Sequence, residues 1–343
     1  MDYEVSIIIP IYNELNLLDS LCTKIKNNFK NIKTKFIFID DGSEDGSTEW
    51  LKSNVEKFFS KEDCELIISP KNYGKGHAVN TGIKRTKGKY TIFLDSDLEY
   101  EPKDLIEMYN IMLSNNEIEV LYGSRNLGSK VRLRRYFLNG IAVKLNTLIF
   151  NFLFNQSLSD LHTGSKVIKN SLLKKLNINT NGFGLEIVIS SEIAKRNIKI
   201  YEYGISYYER TVEEGKKITI FDGIQSYYFL FRERFLKNDM YTQISTLYSF
   251  SFMTYVGSYF GMGLGKFLAI IFFMITGLII SLNRKVVPLS LVFISIYIGS
   301  LFSKGNGKIY SILIFFIIGL YLSKKIKIFF PKIKNDFIRK LFF

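Results

Sequence analysis

The chain has 343 residues, of which 47% are hydrophobic and 23% charged, with a formal net charge of +14. Its length can bury a large core in one large or two smaller domains, and its charge favours anionic partners, whether nucleic acid, phosphorylated substrates or anionic lipid. Two cysteines, Cys22 and Cys64, are too few and too scattered for a disulfide framework or a zinc site, which points to a reducing compartment.

A mean hydropathy of +0.08 is high for so charged a chain. It suggests a soluble part and a membrane part in one polypeptide, with the break near Asp239. Met1 to Glu4 lead straight into an apolar run without the stretches of a signal peptide, so the first part is expected to stay on the side where it is made.

Val5 to Ile11 is a β-branched strand that exits at Pro10, Tyr12, Asn13 and Glu14. Leu15 to Phe29 has helical spacing. Phe36 to Ile39 is a second strand, closing on Asp40, Asp41, Gly42 and Ser43, and Gly46 to Phe59 reads as a helix. Leu66 to Ile68 is a third strand, followed by Lys71-Asn72-Tyr73-Gly74-Lys75-Gly76 and a helix from His77 to Arg85. Glycines flanking Lys75 at a helix start resemble a phosphate loop, although as a lone motif this is weak, an ordinary glycine turn is the favoured reading, and the spacing is not that of a Walker A loop or a dinucleotide fingerprint.

Tyr90 to Leu94 is a fourth strand, and it runs into Asp95, Ser96, Asp97 and Glu99. Carboxylates clustered at a strand end offer hard oxygen ligands for a divalent cation and its phosphates. A polar turn with an acidic helix start before Pro102 satisfies the same pattern. Strands alternating with helices call for a mostly parallel sheet flanked by helices, and such sheets bind ligands at the carboxyl ends of their strands. The polar clusters fall there.

Val120 to Tyr122 is a fifth strand, leading into Gly123-Ser124-Arg125 and then Lys130, Arg132, Arg134 and Arg135. This basic run precedes the apolar segment Leu138 to Phe154, so a phosphate near a membrane is its expected target. Asp160, His162 and Thr163 lie in a turn. Gly182 to Lys195 reads as a helix with Glu186 near its start, and Lys199 to Tyr208 as a strand. Arg210 to Lys217 is a basic loop. Phe221 to Lys237 suits either an interfacial helix or a core helix closing the soluble domain.

Beyond it lie the uncharged runs Tyr241 to Gly265, Phe267 to Leu282, Val286 to Phe302 and Ile309 to Leu322. Basic flanks at Arg232 to Lys237 and Lys324 to Lys340 favour an even number of spans, four rather than two, with both flanks cytoplasmic. The expected division is therefore 1–220, a cytoplasmic catalytic domain; 221–240, an amphipathic interfacial helix; 241–323, transmembrane helices; and 324–343, a basic cytoplasmic tail. That makes an integral membrane protein.

VSIIIPIYNE, FIDDGSEDGS, NYGKGHAVNTG and FLDSDLEYEP, in this order, resemble the nucleotide-sugar-binding half of family 2 glycosyltransferases, which have the GT-A (Rossmann-like) α/β fold. YGSR, DLHTGSK and ISYYERTVEEGKKI resemble the dolichol-phosphate mannosyltransferase and polyprenyl-phosphate glycosyltransferase branch, and the resemblance covers about Val5 to Lys237. It implies inverting transfer of one hexose from a GDP-mannose or UDP-glucose type donor to dolichyl or undecaprenyl phosphate, with Mg²⁺ or Mn²⁺ as cofactor. Pro10, Tyr12, Asn13, Glu14, Asp40 and Asp41 would hold the base and ribose, and Arg210 and Lys217 would close on the diphosphate alongside Lys75 and Gly76. Asp95 and Asp97 would bind the metal, with Glu99 standing where relatives often carry glutamine. Arg125 and one of Arg134 and Arg135 would hold the lipid phosphate.

An acceptor that is already ionised needs no strong general base, and none is evident. Two alternatives remain. One is a membrane enzyme extending a surface glycan on a sugar hydroxyl, against which stands the lack of a Gln-x-x-Arg-Trp motif around the only tryptophan, Trp50. The other is a non-catalytic scaffold of the same fold. Nucleic acid is not an expected partner, because the basic residues gather at strand ends and membrane flanks, and a homo-oligomer is left open.

Overall fold

The computed structural model describes residues 3–180, 182, 184–211, 213–215, 220–237, 250, 253–254, 257, 263–281 and 314. They fall into two compact units, Met1–Leu230 and Phe231–Phe343.

The first unit is built on a sheet of seven strands: β1 (Val5–Ile11), β2 (Thr34–Asp40), β3 (Cys64–Ile68), β4 (Tyr90–Phe93), β5 (Val120–Ser124), β7 (Lys166–Lys169) and β8 (Tyr201–Gly204), in the order β3-β2-β1-β4-β7-β5-β8. Neighbours pair in parallel except β7, which runs antiparallel to both β4 and β5. A separate two-stranded ribbon joins β6 (Arg132–Leu133) to β9 (Tyr207–Tyr208).

Along β1 the side chains alternate between two cores, because successive residues of a strand face opposite sides. Val5, Ile7, Ile9 and Ile11 pack on one face and Ile8 on the other. Helices α1 (Leu18–Phe29), α2 (Ser47–Phe58) and α4 (Pro102–Ser114) cover the first face. The second is covered by α3 (Lys75–Arg85), α5 (Phe137–Phe154) and α7 (Leu185–Lys195), with the one-turn α6 (Asn170–Leu173) and the end of α8 (Ile220–Phe231).

Three expectations change in detail. The strand expected over Lys199 to Tyr208 is two, because the backbone N–H of Ser206 leaves the sheet to donate to Asp104 at 2.6 Å. Helix α1 starts at Leu18 after a short 3₁₀ turn, Leu15–Leu17. β7 lay in no expected element, since a lysine at each end hides its two-residue apolar centre. The sheet remains mostly parallel.

Phe229 and Leu230 of α8 are buried in the second core, and a Cβ on Gly184 would sit 2.4 Å from the Phe229 ring. In the second unit, α9 (Gly263–Ser281) overlaps the expected run Phe267 to Leu282. The runs Val286 to Phe302 and Ile309 to Leu322, apart from Ile314, and the tail Lys324 to Lys340 lie outside the described residues, as does most of Tyr241 to Gly265. Among the described residues, Phe137–Phe154 is the helix long and apolar enough to cross a membrane.

Candidate active site

The loops after β1, β2 and β3 are laced together by side chains of their own. Asn13, at φ 53°, accepts from the Glu44 N–H at 2.8 Å, and its own N–H donates to Ser43 Oγ at 2.9 Å. Glu14 N–H donates to Ser47 Oγ at 3.1 Å. Asp40 is fully buried and accepts from the Ser43 hydroxyl at 2.6 Å and from the Thr48 hydroxyl. Asp41 accepts from the backbone N–H of Tyr73 at 3.2 Å and of Gly74 at 2.6 Å, which ties the glycine loop to β2. Gly42 is obligatory there: its φ is +73°, and a Cβ would lie 2.4 Å from the Lys71 carbonyl carbon.

The centre of the site is the turn after β4. Lys75, at the start of α3, places Nζ 2.9 Å from Asp95 and 2.9 Å from Glu186, which lies in the first turn of α7. Burial works to raise the Glu186 carboxyl, but Lys75 and Lys166 outweigh it and bring it down to about 2. Lys166 is 2% exposed, lies over the Tyr122 ring and donates to the Thr163 carbonyl, and burial pulls its ammonium down to about 8. Lys75, Asp95, Lys166 and Glu186 together line a cavity of about 10 Å³, room for one water molecule. Gly164 makes this packing feasible, because a Cβ would stand 2.1 Å from Asp95 Oδ2.

Asp97 faces the other way. Its carboxylate is 3.7 Å from Arg210 Nη2, and burial, then the charges of Asp95 and Glu99, push it up to about 7 against the pull of Arg210. Arg210 is held by Glu14 at 2.8 and 3.2 Å, which closes the segment after β9 onto the loop after β1.

Glu99 has partners outside the aspartate pair. It is 8% exposed and accepts from Tyr207 Oη at 2.8 Å and from the Arg210 N–H at 2.9 Å, so its two oxygens anchor the ribbon and the Arg210 segment. Among the described residues no group of three Asp, Glu, His or Cys side chains is gathered as a ligand set. Asp95 is turned to Lys75, and Asp97 to Arg210.

On the far side, Arg125 forms a two-pronged ion pair with fully buried Asp160, at 2.7 and 2.8 Å, and lies 5.1 Å over the Tyr207 ring. Arg134 donates to Asn126 Oδ1 at 2.6 Å, and Arg132 to the Arg125 carbonyl at 2.8 Å. With Lys144 and Ser159 they line an open groove of about 530 Å³. Arg135 is turned from that groove to the Glu209 carbonyl, which its Nε reaches at 2.9 Å. Lys144 belongs to α5, whose Phe137, Leu138, Leu148 and Phe152 are 81%, 76%, 65% and 57% exposed. His162 is held neutral, burial lowering it to about 4, and its Nε2 has no partner among the described residues.

A family model described as glycosyl transferase family 2 matches residues 6–176. The chain is 30% identical over 232 residues to a dolichyl-phosphate β-glucosyltransferase of Dictyostelium discoideum, covering 63% of this chain and 69% of that protein. The chain belongs to glycosyltransferase family 2. The glycosyltransferase is also 26% identical over 241 residues to a dolichyl-phosphate β-glucosyltransferase of Saccharomyces cerevisiae, covering 64% of this chain and 71% of that one. Among solved structures it is similar to glucosyl-3-phosphoglycerate synthase of Mycobacterium tuberculosis, crystallised with Mn²⁺, UDP and glucosyl-3-phosphoglycerate. The TM-score is 0.52 at 17% identity, over 68% of this chain and 80% of that one, which shows the shared GT-A fold.

In this glycosyltransferase the sequence-derived residues fall into separate sets. Lys75 is ion-paired to Asp95, and Arg210 to Glu14 and Asp97, and Pro10 lines the small cavity beside Lys75 and Asp95. Asp40, Asp41 and Asn13 shape the loops, Gly76 is buried in α3, and Tyr12 is half-buried. Lys217 lies outside the described residues. Four contributors had no assigned role in the sequence: Glu186, Lys166, Gly164 and Asp160. Asp160, Gly164 and Lys166 all fall within the DLHTGSK motif, and Glu186 near a helix start, but neither feature says what these side chains meet.

Proposed function

We propose that this glycosyltransferase moves one hexose from a nucleoside diphosphate sugar to a polyprenyl phosphate, with inversion, at the cytoplasmic face of a membrane. The observation that carries the reading is the basic groove of Arg132, Arg134 and Lys144 opening beside the exposed apolar face of α5. A ligand suited to both must join an anionic head to a hydrocarbon tail. The dolichyl-phosphate glucosyltransferases among its relatives act on such a lipid.

Helix α5 is proposed to lie in the membrane interface rather than to span it. Phe150 and Phe154 are buried in the second core and Asn146 and Thr147 are buried beside them, so one side of the helix belongs to the folded domain. The uncharged runs from 241 to 323 are proposed as the transmembrane anchor and 324–343 as its cytoplasmic tail. Consistent with that, α9 exposes Phe267, Leu268 and Phe272.

Asp95 and Asp97 suit Mg²⁺ or Mn²⁺, which is commonly held by one or two carboxylates together with substrate phosphates. Burial, then the charges of Asp95 and Glu99, lift Asp97 to about 7 against the pull of Arg210, so its ionised form calls for more positive charge than Arg210 supplies. Such a cation would supply charge neutralisation for the departing nucleoside diphosphate. Lys75 and Arg210 lie at this turn to bind the diphosphate, and Arg134 in the groove to hold the acceptor phosphate.

A sugar-hydroxyl acceptor would need a base. Glu186, across Lys75 from Asp95, is held near 2 by two lysines and is a poor one. A polyprenyl phosphate arrives ionised and needs none, which leaves Asp97 for the cation. The test is transfer of label from radioactive UDP-glucose or GDP-mannose into the organic phase, with polyprenyl phosphate and Mn²⁺ supplied. Folded protein that transfers label from no common nucleotide sugar would refute the reading.

A further inference from the structure

Resting on the reading of Asp95 as a cation ligand, we propose that Glu186 is a positioning residue that draws Lys75 away from Asp95 and so frees Asp95 for the divalent cation. Lys75 stands between two carboxylates at the same distance, 2.9 Å from each. Asp95 is therefore already occupied by a cation of the protein. A divalent ion arriving there must displace that ammonium, whose side chain is 31% exposed, and the displaced ammonium keeps a charged partner where a second carboxylate stands beside it. Glu186, its side chain 10% exposed, is the partner at hand.

Charge counting gives the same result. Lys75 from α3, Asp95 after β4, Lys166 from β7 and Glu186 from α7 make two cations and two carboxylates around one water-sized cavity. The set is neutral as it stands. Without Glu186 it carries a net positive charge beside the place where the cation must enter, and Lys75 has Asp95 as its only remaining partner of the two. Glu186 is ion-paired to Lys75 rather than to Asp95 or Asp97, and Lys75 is the side chain that bridges it to the proposed cation site.

The test is Mn²⁺ affinity of the full-length protein, read by electron paramagnetic resonance with and without UDP. Glu186→Gln keeps the side-chain volume and removes the charge, and Mn²⁺ affinity is expected to fall about tenfold. Glu186→Asp should recover most of that loss. In a Lys75→Met background the same Glu186→Gln change should alter affinity by no more than about twofold, because the residue through which it acts is gone. Unchanged affinity in Glu186→Gln, beside loss in an Asp97→Asn control, would overturn the role of Glu186 alone. An equal loss with and without Lys75 would do the same. Absence of Mn²⁺ binding in the wild-type protein would overturn the reading of Asp95 and the role of Glu186 together.

Discussion

Replacing Gly164 by alanine tests whether the position of Asp95 is what the site depends on. The backbone of Gly164 is not in the left-handed region, so an added methyl group acts through space alone. That Cβ would fall 2.1 Å from Asp95 Oδ2, 2.9 Å from its Cγ and 3.1 Å from Tyr100 Cε2. Ordinary contact begins near 3.4 Å, which leaves a shortfall of about 1.3 Å to be taken up by Asp95 or by the chain entering β7. The chain is confined, since β7 is hydrogen-bonded on both sides and the Gly164 N–H donates to Tyr100 Oη at 3.1 Å. Asp95 must therefore yield. Overpacking of this kind costs roughly 1–3 kcal/mol, and a catalytic group displaced by about 1 Å costs on the order of 100-fold in rate. Label transfer and thermal unfolding of the same preparations should show a large loss of activity with a drop in Tm of only several degrees. Gly88→Ala is the control: its Cβ would meet the Val5 carbonyl carbon at 2.4 Å, before β4 begins, so stability should fall while the folded fraction keeps its activity. Activity of Gly164→Ala within about twofold of wild type would refute the claim that a fixed Asp95 is required.

Other outcomes follow from the same geometry. Asp97, lifted to about 7, carries its proton below that pH and its charge above, so Mn²⁺ affinity should weaken as pH falls from 8 to 6; a flat profile would separate Asp97 from the cation. Arg134→Ala should raise the KM for polyprenyl phosphate more than for the nucleotide sugar, whereas Arg135→Ala, which loses a bond to the Glu209 carbonyl, should spare that preference. Steady-state kinetics with each substrate varied would decide it. Asp160→Asn leaves the Arg125 guanidinium buried beside a neutral amide, and breaking a pair of that kind costs about 3–5 kcal/mol, read as a lowered denaturation midpoint.

The carboxyl edge of the sheet was legible because local rules place it. An apolar run followed by Asp, Asn or Gly marks a strand exit wherever it occurs, and in a parallel sheet all such exits share one edge. Asp95, Asp97 and Lys75 could thus be assembled from residues adjacent to them in the chain. What escaped depends on partners far away in sequence. Glu186 lies 111 residues from Lys75, and a glutamate in a first helical turn has a sufficient local explanation as a partner for the helix dipole. Arg125 reads as one more cation in a basic run until Asp160, 35 residues on, takes both its Nε and its Nη2. Glu99 is a further case: its spacing from Asp97 groups it with the aspartates, and after a turn through Leu98 at φ 57° its side chain accepts from Tyr207 and the Arg210 backbone, which the spacing does not reveal. In each case the sequence records the charge, and the fold decides which opposite charge or hydrogen-bond donor it meets. Buried charges are tolerated only when paired, so the pairs hidden from the sequence are the ones that hold Asp95 and Arg125 in place.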